Sequence, residues 1–447
     1  MGHDLCTEGG SLFYLRAYGP ALLTGTVHDY RNGTYTFTVI PHDAGVYKLE
    51  VVLTFSHPPS FDQLPVTIAG SQSENSYEGY MLPTFPIQFR VVSGENDDES
   101  TTRQLQSLPR CRASDLLETS KDSPLHQGRW VVKNKQRFLP SNEFRIRDGL
   151  ENVERISLKG YKTSENSVGF EMEYNYTNCT VDPLNALLNR NRWILTMEKS
   201  KRVVDGKNSR LHLLFFGDSN IRNQHNFVRD YFAKPTRSLN GRLQLTYVEV
   251  MKFWPLTWES SRQKFLEVYE NNPHDHFVVI YNLGLHEISN RCSLFGQKAG
   301  RFNATHPPGP CLPPYREDVA TMTDLVLSKP ALVRIWQSTT AGWPKWGVFG
   351  LAWPQNRGQY FPLATDMCGH LNDVAKEIVE EKNVKIMDTY WMALPRPDHR
   401  EVVDKDTSRT SYKLVHMGPE VYLQLMRQIL SIVLEALEEG EANGTYL

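Results

Sequence analysis

The stretch from Leu211 to Arg229, LHLLFFGDSNIRNQHNFVR, holds a serine in a setting that suits nucleophilic catalysis. An apolar run of the length of a buried parallel strand, Leu211 to Phe216, stops at Gly217-Asp218-Ser219 and gives way to a segment without Pro or Gly that reads as a helix. Such a turn places the Ser219 hydroxyl at the carboxyl end of a sheet, where open α/β sheets hold their sites. It also places it at a helix N-terminus, whose free N–H groups suit a developing oxyanion. The plainer role for Asp218 and Ser219 is to cap the helix. Acyl transfer further needs a base for the hydroxyl proton and donors for the oxyanion. His416, in LVHMGP before the last helical stretch, is the candidate base. The string NLGLH, Asn282 to His286, follows a later apolar run; the N–H groups of Ser219 and Gly284 would hold the oxyanion, with Asn282 and His286 beside them. Arg222 follows Ser219 on the same helix side and would position a carboxylate, a phosphate or the loop, or pair with an acidic neighbour.

The elements that must position these groups are legible from residue 207 onward. Strands are expected at Leu211–Phe216, Gln244–Met251, His276–Leu283, Ala331–Gln337 and Val384–Asp388. Between and after them come helices near Asn220–Phe232, Glu259–Tyr269, Tyr315–Leu327, His370–Glu381 and Pro419–Leu437. Alternation of this kind predicts a three-layer α/β domain over 207–447, a parallel sheet with helices on both faces, whose strand ends bring Ser219, Gly284 and His416 to one crevice. Trp336, Trp343, Trp346 and Trp353 flank a Gly/Pro-rich loop above that sheet and form either a sugar-stacking wall or a buried lid.

Residues 1–93 read as all-β. Tyr35, Phe37 and Val39 alternate with threonines, Asn32-Gly33 signals a two-residue hairpin, and Tyr47, Leu49, Val51 and Leu53 repeat the alternation after a turn at Asp43–Gly45. The acidic, polar stretch 94–106 reads as a linker, and 107–206 as an irregular lead-in to the α/β domain.

With 447 residues, 22% of them charged, and a formal net charge of -2, the composition is that of a globular protein and argues against a nucleic-acid binder. No apolar run is long enough to span a membrane, and the first residues lack the apolar core of a signal peptide. The sequons at Asn32, Asn175, Asn178, Asn303 and Asn443, with six cysteines in no metal-binding spacing, point to a secretory-pathway protein whose targeting segment is not in this chain. Cys292–Cys311, closing a loop near the site, is the favoured disulfide, with Cys111–Cys179 as a second pairing. No metal site is expected.

The block order of Gly-Asp-Ser on the first strand, Gly with a polar residue after the third, and His before the C-terminal helix resembles the SGNH (GDSL-like) hydrolases. The longer string Gly217-Asp-Ser-Asn-Ile-Arg222-Asn223-Gln224 is similar to the GDSxxRNQ of the PC-esterase branch. The β region resembles a filamin-type immunoglobulin-like repeat, a sandwich. Together they resemble the neurexophilin and PC-esterase domain (NXPE) family, for which Gly128-Arg-Trp130 and Asp388-Thr-Tyr-Trp-Met-Ala also look like landmarks. The resemblance implies a Golgi or secreted glycan O-acetyltransferase or acetylesterase that works through an acyl-enzyme. The acceptor would be a glycan or glycoprotein; no resident cofactor is implied, and acetyl-CoA is the donor for some members. Two positions depart from the hydrolase pattern: the block-three Asn corresponds to His286, a variation shared with the PC-esterase branch, and the acid usually found three residues before the His is Lys413 here. Asp388, Asp404 and Asp406 are the remaining choices for an orienting acid, whose loss can cost on the order of 10⁴-fold. The alternative function is therefore a catalytically degenerate, secreted glycan- or protein-binding protein.

Overall fold

A computed structural model describes residues 9, 11–55, 77–92, 108–117, 128–132, 172–187, 192–193, 196, 210–232, 243–250, 255–284, 286, 312–341, 364–395, 400–403, 411–417 and 419–439. Cys292, Cys311, Asn303, Asn443, Asp404, Asp406, Trp343, Trp346, Trp353 and the 94–106 linker lie outside the described residues.

The N-terminal half is antiparallel. Its strands are β1 (Leu12–Tyr18), β2 (Ala21–Leu23), β3 (Thr26–Asp29), β4 (Tyr35–Thr38), β5 (Gly45–Phe55), β6 (Tyr77–Met81), β7 (Ile87–Val91), β8 (Gly128–Val132) and β9 (Met172–Tyr176). One sheet runs β6-β5-β1-β2-β8-β9, with β7 also paired to β5. Strands β3 and β4 form a separate hairpin, packed on β1 through contacts of Phe13 with Tyr35 and Phe37. Its connection is five residues, Tyr30 to Thr34, in place of the expected two-residue turn. Both Arg31 (φ 58°) and Gly33 (φ 83°) take the left-handed region there, and the Tyr30 N–H reaches the Thr34 carbonyl at 3.1 Å. Residues 107–206, read as a lead-in, supply β8 and β9 to this sheet, where Ala21 faces Val131. Two short helices, α1 (Ala113–Leu116) and α2 (Leu184–Leu187), flank the Cys111–Cys179 disulfide.

The second half holds five parallel strands: β10 (Leu211–Gly217), β11 (Leu243–Glu249), β12 (His276–Tyr281), β13 (Val333–Gln337) and β14 (Lys385–Met387), in the order β11-β10-β12-β13-β14. The helices are α3 (Ser219–Phe232), α4 (Pro255–Asn271), α5 (Leu312–Leu327), α6 (Ala364–Glu381), the short α7 (Thr389–Ala393) and α8 (Pro419–Glu439). All seven residues of β10 are buried, as an unbroken apolar central strand covered on both faces requires. Successive residues face opposite ways. Phe215 meets His225 of α3, while Phe216 meets Trp258 and Phe265 of α4, so helices cover both faces. A last hairpin, β15 (Arg400–Val403) and β16 (Ser411–Met417), precedes α8 and packs against α3.

Side chains of both sheets join one continuous core that includes Tyr14, Val52, Trp130, Leu213, Ile280 and Ile429. Arg427 of α8 pairs with Glu173 of β9, and Gln428 bonds the Tyr176 hydroxyl. Among the described residues, no helix is long and apolar enough to cross a membrane.

Candidate functional site

The first strand of the parallel sheet, β10, lies between the second and the third. Chain direction across the sheet therefore reverses at β10 and β12, the place where open α/β sheets hold their ligands, outside the carboxyl ends of the strands. Gly217, Asp218 and Ser219 leave β10 there; Asn282 to Gly284 leave β12. Phe216 is level with Tyr281, and Tyr281 with Trp336, so Ser219, Gly284 and Thr339 follow at matching distances beyond the paired strands.

The turn is held by a dense set of bonds. The Asp218 N–H donates to Asn282 Oδ1 at 3.2 Å, and Asp218 Oδ1 accepts the Asn220 N–H at 2.8 Å. The Asp218 carbonyl accepts the Arg222 N–H at 3.0 Å, which starts the helix. The Val250 N–H donates to the Gly217 carbonyl at 2.7 Å, and the Tyr247 hydroxyl lies 3.2 Å from the same oxygen. Burial, with Glu249 and Asp218 nearby, raises the Tyr247 phenol well above its usual range and keeps it a donor. The Tyr422 hydroxyl of α8 donates to Asn220 Oδ1 at 3.2 Å. Gly217 has a steric reason: a Cβ there would lie 2.4 Å from Asn282 Oδ1 and 2.9 Å from Ile221 Cγ1. Gly284 is likewise required, since a Cβ would lie 2.1 Å from Thr339 Oγ1.

Ser219 is 5% exposed and opens α3. Its N–H belongs to the first turn, which has no intrahelical acceptor, so the position suits both nucleophile and oxyanion donor. His416 is placed through its backbone, on the strand β16 that packs against α3. Arg222 pairs with Glu249 at 3.1 Å, both partly exposed, which is the structural pairing of the two roles read for it. Asn282 is buried and its Oδ1 holds the turn from beneath. His286 is half-buried just past the end of β12. Trp336 is a core residue, edge-on to Tyr281 at 5.2 Å.

Asp388 follows β14, at the edge of the sheet, with β12 and β13 between it and β10. At a strand spacing of about 4.8 Å, that is about 14 Å across. Its Oδ1 accepts the Trp391 N–H at 3.1 Å, the N-cap bond of α7, and the Ser338 hydroxyl at 3.2 Å. Ser338 Oγ in turn accepts the N–H groups of Thr389 at 2.7 Å and Tyr390 at 3.0 Å. Ser338, Asp388, Asn372, Tyr390 and Trp391 line a crevice of about 370 Å³ between the sheet edge, α6 and α7. Asn372 is fixed there by paired bonds to the Thr339 backbone, at 2.6 Å to its N–H and 2.9 Å to its carbonyl.

Sequence reasoning missed the Gln337-Ser338-Thr339 strand end. Its signal was a polar run closing an apolar strand, the same signal that marked Ser219. Among the described residues, Asp218 Oδ2 and the buried side-chain amides of Gln224 and Gln337 have no hydrogen-bond partner. No three His, Cys, Asp or Glu side chains among the described residues come together as a metal site. Of the sequon asparagines, Asn32 and Asn178 are exposed and Asn175 is half-buried on β9. No protein-family model matches the chain, and no curated protein matches it.

Proposed function

We propose that this chain is a serine acyl-transfer enzyme of the SGNH type, a glycan O-acetyltransferase or acetylesterase of the NXPE kind, with an immunoglobulin-like N-terminal part. The observation that carries the reading is the position of Ser219, at the carboxyl end of the central strand and the first turn of α3, on the side where the strand order reverses. In this mechanism Ser219 Oγ attacks the acetyl carbonyl of a donor such as acetyl-CoA. His416 takes the hydroxyl proton and passes it to the leaving thiolate or alkoxide, which leaves an acetyl-Ser219 ester. The N–H groups of Ser219 and Gly284 bear the oxyanion. A sugar hydroxyl or water, deprotonated by His416, then releases Ser219. The crevice at Asp388 and Trp391 is large enough for a small ligand and lies on the same edge of the sheet. A glycan seated there would run along that edge toward Ser219. The Cys111–Cys179 disulfide and the exposed Asn32 and Asn178 suit a Golgi-lumenal or secreted protein.

The test is covalent labelling by a fluorophosphonate and by an activated acetyl ester, read by intact mass on the disulfide-intact protein beside Ser219→Ala and His416→Ala. The reading expects an adduct that Ser219→Ala abolishes and His416→Ala slows by two or more orders of magnitude. An unlabelled, folded protein would refute it. The second reading, a non-catalytic glycan- or protein-binding protein, is favoured by Lys413 in place of the acid and by Asp388 Oδ1 being engaged as a helix cap. Glycan binding without labelling would support that reading.

A further inference from the structure

Two strings singled out in the sequence, Gly128-Arg-Trp130 and Asp388 to Ala393, meet in space although more than 250 residues separate them. The indole N–H of Trp130 donates to the Met392 carbonyl at 2.8 Å, and the Tyr14 hydroxyl donates to the Leu394 carbonyl at 2.9 Å. Trp130, Tyr14, Met392 and Leu394 are all buried. Helix α7 is only five residues long, too short to persist on its own hydrogen bonds. Its first N–H groups are held by Asp388 and Ser338 of the parallel sheet; its last carbonyls are held by Trp130 and Tyr14 of the antiparallel sheet. The donors are themselves fixed. Arg129, beside Trp130, is forked onto Asp43, and Trp130 packs edge-on to Tyr174 at 5.5 Å. The charge of Asp388 adds to burial in raising the Tyr174 and Tyr176 phenols, which places this carboxylate at the seam between the sheets.

We infer that Trp130 and Tyr14 are positioning residues, through which the antiparallel sheet sets α7 and so aims Asp388, Tyr390 and Trp391 into the crevice. The N-terminal half is then part of the site's construction, and a partner or modification that shifts β1 or β8 would change the crevice without touching it. The bearing on acyl transfer rests on the reading above; the control of the crevice wall does not.

Tyr14→Phe deletes one hydroxyl and leaves the ring; Trp130→Phe deletes the other donor. Each removes one hydrogen bond to a buried carbonyl, which corresponds to roughly a tenfold gain in local opening. The measurement is native-state amide exchange by mass spectrometry on the full chain, with urea unfolding alongside. The inference expects Tyr14→Phe to raise exchange across 389–394 at least about tenfold while amides of β10 and β12 keep their rates, and Trp130→Phe to raise it further because truncating that buried indole also opens a cavity. Acceleration spread evenly over both sheets in step with lower global stability, or no change at 389–394, would overturn it. In a second arm, the donor and acceptor KM values for acetyl transfer are compared with kcat. The inference expects Tyr14→Phe to raise the acceptor KM several-fold and to leave the rate of Ser219 labelling unchanged. Equal loss of labelling and acceptor use would refute a positioning role at the crevice. If wild-type Ser219 never labels, the acyl-transfer reading falls, and the exchange result still decides this inference.

Discussion

Replacing Gly217 by Ala asks whether the Gly-Asp-Ser turn is built as the contacts indicate. The new methyl would sit 2.4 Å from Asn282 Oδ1, 2.9 Å from the Asn282 carbonyl oxygen and 2.9 Å from Ile221 Cγ1, so Asn282 must withdraw. Withdrawal breaks its bond to the buried Asp218 N–H. Overpacking of this kind costs about 1–3 kcal/mol, and a buried donor left unpaired costs about 1–3 kcal/mol more. The expected loss is therefore about 2–6 kcal/mol in urea unfolding, with an unchanged m-value. Asn282→Ala supplies the control. It forfeits the same bond but opens space for the methyl, so Gly217→Ala should cost about 1–2 kcal/mol less in that background than alone. The Ile221 and carbonyl contacts remain, so the double variant stays below the wild type. Labelling of Ser219 by the fluorophosphonate should fall with the displaced turn. A Gly217→Ala protein within about 0.5 kcal/mol of the wild type, or strictly additive costs, would refute the account of why glycine stands here.

His212 is buried, with Nδ1 3.1 Å from Asp275 Oδ2 and Nε2 2.8 Å from Thr246 Oγ1. Burial, only partly offset by Asp275, lowers its pKa from 6.5 to about 4. The unfolded chain therefore binds the proton first, and stability is fully present above pH 6.5 and is lost as pH falls toward 4. The loss is about 3 kcal/mol in all, read as the difference between unfolding free energies at pH 7 and pH 4 that His212→Gln should largely abolish; an equal acid sensitivity in the variant would refute the assignment. Arg16 and Glu50 form a fully buried pair across β1 and β5 at 2.8 Å, and burial raises the Glu50 carboxyl above its usual range even beside Arg16. Glu50→Gln should cost about 3–5 kcal/mol by stranding the guanidinium, whereas Arg16→Met with Glu50→Leu should recover most of it; equal losses in the single and double variants would refute this.

The α/β half was legible because its signals are local. An unbroken apolar run gave β10 to within a residue, a segment without Pro or Gly gave α3, and apolar residues near helical spacing gave α8, both with their starts close to place. Pairing in the antiparallel sheet was not legible. One of the two partners of β2, β8, lies more than 100 residues away, and nothing in Gly128-Arg-Trp-Val-Val names Ala21 and Leu22 as its neighbours. Helix α7 is too short to show a period, and its stability comes from bonds to Ser338, Trp130 and Tyr14, each distant in sequence. Asn32-Gly33 marked the right hairpin and the wrong loop, because the positive φ of Arg31 as well as Gly33 makes a wider turn than the dipeptide implies. Ser219 was legible as a strand-end hydroxyl; the roles of Asn282 and Asp388 as holders of backbone were not, since a residue type does not reveal which of its atoms is already engaged.

The carboxyl edge of the parallel sheet divides into two populations of polar groups. Asn282, Ser338, Asn372 and one oxygen of Asp388 are committed to backbone N–H and carbonyl groups, and they fix the geometry of the turn and of the crevice. Asp218 Oδ2 and the amides of Gln224 and Gln337 are buried and unpartnered among the described residues, each at a cost of about 1–3 kcal/mol. Apolar residues of the same size at 224 and 337 would remove that cost without disturbing the core. Such costs persist in natural sequences mainly where function retains them. Buried atoms without a partner also occur away from this edge among the described residues, on Tyr269 of α4 and Ser431 of α8, so the three here do not by themselves mark a site.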